Sequence, residues 1–244
     1  MNAVIELLQR HRSIRKFQPV PLTPEQIQAI VGSAQMASTS SNVQAYSLIA
    51  ISDEATKREL ARLAGNQAYV ADSGLFIVFC ADLHRIEEAS KRHQDTFHTN
   101  TESFLVATID AALAAQNAAV AAESLGLGIC YIGAIRNNPE EVSQLLKLPQ
   151  LVYPVFGMCI GTPDQEPSYR PRLPQAGILH WNAYEETTMQ QGIDEYDRTI
   201  HQYYLERTQG QTVTTWSRGI ADKYQKPVRA HVKTFLEARG FKLE

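Results

Sequence analysis

The pattern of apolar and polar positions along the chain predicts both strands and helices. Residues 75–80 and 129–132 form short unbroken apolar runs, as expected of strands buried on both faces. Residues 47–52 and 152–160 read as further strands. The pattern favours about five strands among seven or more helices, and spacing alone does not say whether the strands are parallel.

Capping residues mark where several helices begin and end. Apolar residues recur at helical spacing over residues 4–9. In the next helix Thr23 can cap, Pro24 suits the first helical position, and Gln26 closes a capping box. A third helix starts after Asp53 and ends at Gly65, and a short one starts at residues 138–141.

An alanine-rich helix is predicted over residues 104–125, ending at Gly126. Asp110, Gln116 and Asn117 interrupt it, which favours a buried helix over a membrane span. Its alanines allow close helix approach, in a core or at a subunit interface. With no signal peptide at the N-terminus, we expect a soluble, cytoplasmic protein that does not enter a membrane.

The last 65 residues also look helical, with a final helix closed by Gly240. The organisation we expect is therefore one domain over residues 1–244, with a helical C-terminal excursion from about residue 180.

Composition removes several classes of function. Apolar residues make up 44% of the chain, charged residues 20%, and the net charge is −3, so nothing calls for nucleic acid or an anionic membrane. The three cysteines each lie in an apolar run without zinc-like spacing, and we expect buried, reduced thiols. The histidines in the polar stretch 83–101 follow no ligand pattern either, so we predict no metal site.

Common catalytic and nucleotide-binding motifs are absent. The glycines from Gly126 to Gly133 end a helix and open a strand, the reverse of a dinucleotide fingerprint, and Ala134 stands where a phosphate-binding loop needs lysine. The sequence has no Gly-x-Ser-x-Gly turn and no Cys/His nucleophile arrangement. This suits an enzyme whose chemistry belongs to a bound cofactor.

Two basic segments are candidates for anion binding. His11-Arg12-Ser13-Ile14-Arg15, at the end of a helix, suits a phosphate, although a solvated basic helix end would look the same. In Arg170-Pro171-Arg172 the proline lowers the entropy lost when the guanidinium groups are held on a ligand, although an exposed loop is as good an interpretation.

Read together, the motifs resemble one family. The series begins with His11-Arg-Ser-Ile-Arg15, the Ser38–Ser41 run with Gln44, and Gly65-x-Gln67. It continues with Phe79-Cys-Ala-Asp82, Ala121-Ala-Glu-Ser-Leu-Gly-Leu-Gly128, Tyr131-Ile-Gly133, Arg136-Asn-Asn138, Leu145-Leu-Lys-Leu-Pro149, Pro171-Arg-Leu-Pro174, Tyr203-Tyr-Leu-x-Arg207 and Thr215-Trp-Ser217. In this order they resemble the oxygen-insensitive NADPH nitroreductase/FMN reductase family over nearly the whole chain.

The resemblance implies an α+β fold: a mixed, mainly antiparallel sheet wrapped by helices, in an interlocked homodimer. The alanine-rich helix is the candidate for the dimer core. One FMN would lie at each end of the interface, with contacts from both chains.

The resemblance also implies a set of flavin-binding residues. The FMN phosphate and ribityl end would be held by His11, Ser13, Arg170 and Arg172, and Arg15 would approach flavin N1 and the C2 carbonyl. Arg12 is also among the expected cofactor-binding residues. The partner's serine run and the ring-lining residues complete the set: Ser38, Thr39, Ser40, Ser41, Gln44, Gln67, Tyr131, Ile132, Gly133 and Ala134.

The resemblance implies two-electron transfer by a ping-pong scheme. No side chain would be catalytic, because the bound FMN carries the chemistry and Arg15 only tunes it. NADPH or NADH, contacted by Arg207, reduces FMN, and the acceptor is a nitroaromatic, a quinone or free flavin. A flavin reductase serving a partner monooxygenase is an alternative. A flavin-binding protein without turnover is another, but it would leave Arg207 without a purpose.

The sequence departs from the family pattern in four places. Three departures are mild: Ala134 replaces a frequent glycine, Arg170 a frequent lysine, and Thr39 a serine. The fourth lies after Arg207, where residues 208–213 lack the second basic residue that resembles a 2′-phosphate clamp. We therefore expect weak discrimination between NADPH and NADH.

Overall fold

The structure, a computed structural model, describes residues 2–243, which contain ten α-helices and a four-stranded sheet. The helices are α1 (Ala3–Gln9), α2 (Pro24–Gln35), α3 (Glu54–Leu63), α4 (Ala68–Asp72), α5 (His84–Arg92), α6 (Thr101–Ser124), α7 (Pro139–Leu145), α8 (Glu186–Arg207), α9 (Trp216–Tyr224) and α10 (Val232–Ala238). The strands are β1 (Tyr46–Ile51), β2 (Leu75–Asp82), β3 (Gly128–Ile132) and β4 (Val152–Gly161). Single 3₁₀ turns occupy Ser40–Asn42, Gly133–Asn137 and Gln175–Gly177.

Two of the predicted caps start helices in the structure. Thr23 and Gln26 form the capping box of α2, and Asp53 accepts from the Thr56 N–H, 2.7 Å away, at the start of α3. The helix α6 begins three residues before the predicted residue 104, because Asn100 caps it by accepting from the Ser103 N–H at 2.9 Å.

The sheet has the order β1-β2-β4-β3, with every neighbouring pair antiparallel. All eight residues of β2 are buried, as its unbroken apolar run predicted. The expectation of about five strands was one too many for residues 2–243. A further extended segment makes only isolated bridges: Ser13 pairs in parallel with Ile129 on β3, and Phe17 pairs antiparallel with Pro163. The predicted α+β fold is confirmed. Its four strands are antiparallel throughout, and the only parallel pairing among the described residues is the Ser13–Ile129 bridge.

The long helix α6 packs on this sheet and against α2 through a row of alanines. Seven of them are buried: Ala107, Ala111, Ala114, Ala115, Ala118, Ala119 and Ala122. With 24 residues and a mean hydropathy of 1.5, α6 is long and apolar enough to cross a membrane by length and composition alone. Its contacts with β2 and its buried alanines are instead those of a helix in the core of a soluble protein.

The chain divides into two compact units. The first comprises the residues up to Pro167 and those from His231 on, and the second comprises Ser168–Ala230. Within the second unit, Gly177 and Gly192 let the backbone approach α8 closely, since a Cβ on Gly192 would lie 2.6 Å from Gly177 Cα. The interpretation as one domain with a helical excursion from about residue 180 stays a prediction.

Candidate functional site

The first basic segment leaves α1 and runs beside β3. The Ile14 N–H donates to the Ile129 carbonyl at 2.8 Å, and the Ile14 side chain is buried in the core. Glycine is required opposite it, because a Cβ on Gly128 would lie 2.5 Å from Ile14. In an extended segment alternate side chains point to opposite faces, so burying Ile14 turns Ser13 and the exposed Arg15 the other way.

His11 and Arg12 both have partners within the first unit. His11 Nδ1 lies 2.6 Å from Glu123 Oε1 at the end of α6, in a half-buried pair. Arg12 Nη1 donates to the Pro167 carbonyl at 3.1 Å and lies 3.3 Å from Glu166 Oε1. The Glu123 contact leaves the Nε2 edge of His11 for a ligand, whereas Arg12 is engaged with the loop after β4.

Arg15 and Gln67 meet at a tyrosine that the sequence interpretation did not include. The Tyr69 hydroxyl donates to Gln67 Oε1 at 2.8 Å. Burial raises the pKa of Tyr69, and the charge and hydrogen bond of Arg15 oppose that rise. The amide of Gln67 therefore contacts the Tyr69 hydroxyl, and the positive charge of Arg15, 52 positions from Gln67 in the chain, acts on the same group.

The Ser38–Ser41 run forms an exposed turn between α2 and β1. Its four hydroxyl groups make no hydrogen bond within residues 2–243, so they are available to a ligand. The Gln44 side chain is also exposed and contacts Asn42, with Nε2 at 3.3 Å from Oδ1. The main chain of the turn is fixed from below by Asp110 of α6, which accepts from two backbone N–H groups.

The segment predicted to line the flavin ring leaves the end of β3. Tyr131 is half-buried, its hydroxyl lies 3.4 Å from Gln116 Oε1, and burial together with the negative charge of Glu123 raises its pKa. Ile132 is buried, so only its main chain can reach a ligand. Gly133 and Ala134 begin the 3₁₀ turn and are partly exposed.

In the second unit, α8 holds the arginine loop through its aromatic stripe. Arg170 Nη2 donates to the Tyr204 hydroxyl at 2.7 Å, and the Tyr196 hydroxyl donates to the Pro171 carbonyl at 2.8 Å. Arg172 Nη1 donates to the Arg170 carbonyl at 2.7 Å.

Arg207 ends α8 in an exposed position. Its Nη1 donates to the Tyr203 hydroxyl at 3.0 Å, and its guanidinium carbon lies 5.8 Å from the centre of that ring.

Thiol and metal chemistry have no support among the described residues. The three cysteines are buried and free, as predicted, and burial raises the pKa of each thiol. The one group with metal-like spacing, His84, Glu87 and Glu88, is not deeply buried, and Lys91 neutralises its carboxylates at 2.7 and 2.8 Å.

Cavity volume does not locate the site. A cavity of about 430 Å³ lies beside α3, lined by Lys57 and Ser73 among others, and contains none of the predicted ligand residues. Two smaller cavities, of about 240 and 230 Å³, each include one predicted ligand residue, Arg12 in the first and Arg170 in the second.

Sequence interpretation missed three residues: Tyr69, Asp110 and Glu123. Asp110 was noted as a polar interruption of the alanine-rich helix, and its buried carboxylate is the signal that could have revealed it. Glu123 stands inside a quoted motif without a role, and Tyr69 follows Gln67 by two positions. The sequence alone could not identify the residue that each of the three contacts, because those contacts depend on the fold.

An α+β chain with two basic segments and buried, free cysteines suits a cofactor-dependent enzyme. The family model "Nitroreductase family" matches residues 8–162, and "Nitroreductase family, C-terminal domain" matches residues 170–244. The chain belongs to the nitroreductase family, as the resemblance predicted.

Named relatives cover the whole chain. It is 47% identical to the FMN reductase (NADPH) of Bacillus subtilis (strain 168), over 99% of both chains. The solved structure of NfrA1 from B. megaterium is similar with a TM-score of 0.96 and 49% identity, covering 98% of this chain and 99% of that one. The NADPH:FMN oxidoreductase of Vibrio harveyi, solved with NAD⁺, has a TM-score of 0.89 and 40% identity, covering 98% and 99%.

Proposed function

We propose that FMN is bound by residues 11–15 and 67–69 of one chain together with residues 38–44 of a partner copy, and that the chain moves electrons from NADPH or NADH to a small-molecule acceptor. The chain is an NAD(P)H-dependent flavin oxidoreductase. The observation that carries the site is the convergence of Arg15 and Gln67 on the Tyr69 hydroxyl. A cation beside amide donors suits the pyrimidine edge of a flavin, where charge collects on reduction.

The donor set fits the rest of the cofactor. A phosphate needs several charge-assisted or hydroxyl donors, and His11, Ser13, Arg170 and Arg172 are the candidates. A polyhydroxyl chain needs neutral donors and acceptors, which the free hydroxyl groups of Ser38–Ser41 supply.

When bound, FMN supplies the two-electron chemistry, taking hydride from the reduced nicotinamide and passing the electrons to the acceptor in turn. The residues of this chain bind, orient and tune it. Arg15 stabilises negative charge at the pyrimidine edge and thereby raises the flavin reduction potential. The three thiols are buried and their pKa values are raised, so none of them serves as a covalent nucleophile. Arg207, exposed at the end of α8, is the proposed contact for the nicotinamide dinucleotide.

We further propose a homodimer, located in the cytoplasm. Helix α6 exposes Leu105, Ile109 and Leu113 at i, i+4 and i+8, on one face. Helix α1, which contacts α6, exposes Val4, Ile5 and Leu8. Contiguous exposed apolar surface of this kind favours a protein interface. A partner covering it would also complete a site that lies on open surface in one chain.

The experiment that tests the function is an anaerobic addition of NADPH to the purified, FMN-loaded protein. We expect a yellow protein that releases one FMN per chain on denaturation and bleaches within seconds of the addition. Arg15→Ala should stay yellow and bleach more slowly, because the charge that favours reduction is gone. A protein that remains colourless with added FMN contradicts the site, and persistent yellow colour with NADPH and with NADH indicates a binder without turnover.

Free flavin as the acceptor is a second candidate for the substrate, favoured by the name of the FMN reductase relative. Steady-state reduction of free FMN and of a nitroaromatic by the same enzyme separates the two. A free-FMN rate that does not saturate, beside a saturating nitroaromatic rate, would exclude a dedicated flavin reductase.

A further inference from the structure

Asp110 is a carboxylate with no solvent exposure in the middle of α6, between the buried Ala107 and Ala114. A carboxylate in such surroundings is destabilising unless hydrogen bonds compensate it. Both of its oxygens are used. Oδ1 accepts from the Ser40 N–H and Oδ2 from the Ala45 N–H, each at 3.1 Å. One side chain thus joins the two ends of a single turn to the helix.

The turn that Asp110 holds is conformationally strained. Between its two anchored ends, Ser41, Asn42 and Gln44 have φ angles of 47°, 58° and 54°, the left-handed region that favours glycine. Three such residues within four positions persist only where the surroundings determine the conformation, and such clusters are common at ligand-binding sites.

Other contacts hold the turn less completely. The Val43 N–H donates to the Ser40 carbonyl at 2.8 Å within the turn, and Arg85 Nη1 reaches the Gln44 carbonyl from the exposed side at 3.3 Å. The Ala45 carbonyl also accepts from the Asp82 N–H of β2 at 2.9 Å, so one end of the turn is tied to the sheet as well. Asp110 is the group that ties both ends of the turn to α6, and it does so through N–H groups. The hydroxyl groups of Ser38–Ser41 are therefore left for a ligand.

We propose that Asp110 is a positioning residue for the flavin: it does not touch the cofactor, but it sets the main chain of the Ser40–Ala45 turn so that the serine run presents its donors. This inference rests on the proposed function, since it assigns the serine run to the ribityl chain and ring edge. Riboflavin shares those parts with FMN but has no phosphate. Loss of Asp110 should therefore weaken both flavins alike.

The test compares Asp110→Asn with Asn117→Ala in the full chain. The amide of Asp110→Asn keeps the size of the side chain but has only one acceptor oxygen, so one N–H of the turn is left unpaired. Asn117 lies on the same helix and its Nδ2 donates to the Ser33 carbonyl at 3.1 Å, away from the turn. Asn117→Ala is therefore the matched control, because it also removes one hydrogen bond made by α6, but not one made to the turn.

Flavin affinity is measured by fluorescence titration of flavin-free protein, and stability by thermal unfolding. We expect Asp110→Asn to bind FMN and riboflavin about ten- to a hundredfold more weakly, whereas Asn117→Ala changes either affinity less than about twofold. Adding Asn42→Gly to Asp110→Asn should restore part of the affinity, because glycine adopts the left-handed conformation without strain. If Asp110→Asn does not fold, Asp110→Ser, which keeps one acceptor, takes its place with the same expected pattern.

Equal flavin affinity in Asp110→Asn and Asn117→Ala would overturn the inference. So would a loss confined to FMN, since that would place the effect at the phosphate. Absence of flavin binding in the unmodified chain would instead refute the proposed function, so the two failures are distinguishable.

Discussion

His11 Nδ1 lies 2.6 Å from a carboxylate oxygen of Glu123, although 112 positions separate the two residues in the chain. The pair joins the basic segment after α1 to the C-terminal end of α6. A carboxylate on one ring nitrogen fixes the orientation of an imidazole, so only the Nε2 edge of His11 remains for a ligand.

We expect Glu123→Ala to weaken FMN binding by about 1 kcal/mol, roughly fivefold, because the ring of His11 loses its orientation. Riboflavin affinity should not change, since the predicted ligand of His11 is the phosphate. Fluorescence titration with both flavins measures this. Glu166→Ala is the matched control, because Glu166 pairs with the neighbouring Arg12 in a highly exposed position. Equal losses for FMN and riboflavin would contradict the assignment of His11 to the phosphate.

Much of the fold could be predicted because its signals are local. Thr23 and Asp53 cap within three residues of themselves, and the apolar run of β2 is contiguous. The expected fifth strand was never tied to particular residues. Residues 2–243 contain four strands, and the further extended pairings, at Ser13 and Phe17, are isolated bridges.

The site was less predictable, since its key contacts are long-range. The alanine-rich pattern of α6 gave no sign that Asp110 and Glu123 contact different segments of the chain. Asp110 accepts from the Ala45 N–H, and Glu123 pairs with His11. Chain order alone could not place Arg15 beside Tyr69.

A second prediction separates the roles of two arginines. Arg172→Ala should weaken FMN binding by on the order of 1.5–3 kcal/mol, about ten- to a hundredfold, because a charge-assisted phosphate contact is lost. Arg15→Ala should instead lower the flavin reduction potential and slow hydride transfer, with a smaller effect on affinity. Flavin titration, a redox titration and stopped-flow reduction measure the three quantities. Identical behaviour of the two variants would show that the division between phosphate and ring is wrong.

A third prediction concerns assembly. Sedimentation should give a dimer of about 54 kDa, twice the 27.3 kDa chain. Ile109→Lys should shift it towards monomer and lower its FMN content, because a charge is placed in the middle of the exposed apolar face of α6. The control is Gln144→Lys, which adds the same charge on α7, four positions from Glu140. An FMN-loaded monomer of the unmodified chain at micromolar concentration would refute the interlocked dimer.

The last prediction is that the enzyme discriminates poorly between NADPH and NADH. A 2′-phosphate carries close to two negative charges, so strong preference for NADPH needs more than one basic contact. Arg207 supplies one, and residues 208–215 contain no lysine or arginine.

The next basic residues along the chain are already engaged in the second unit. Arg218 pairs with Asp222, its Nε at 3.0 Å from the carboxylate, and Lys223 Nζ lies 5.3 Å from the centre of the Tyr224 ring. Recruiting either one as a second contact would break an existing interaction. A single exposed arginine contributes only about 1 kcal/mol, or several-fold in specificity.

The ratio of kcat/KM for NADPH to that for NADH measures the discrimination. We expect a ratio near ten or below, falling towards one in Arg207→Ala. Arg198→Ala, which removes an exposed arginine from the same helix α8, should leave the ratio unchanged. A ratio of several hundred in the unmodified enzyme would show that another basic residue has replaced the missing contact. Arg218→Ala and Lys223→Ala would then identify it, because only the variant that loses the second contact would bring the ratio down.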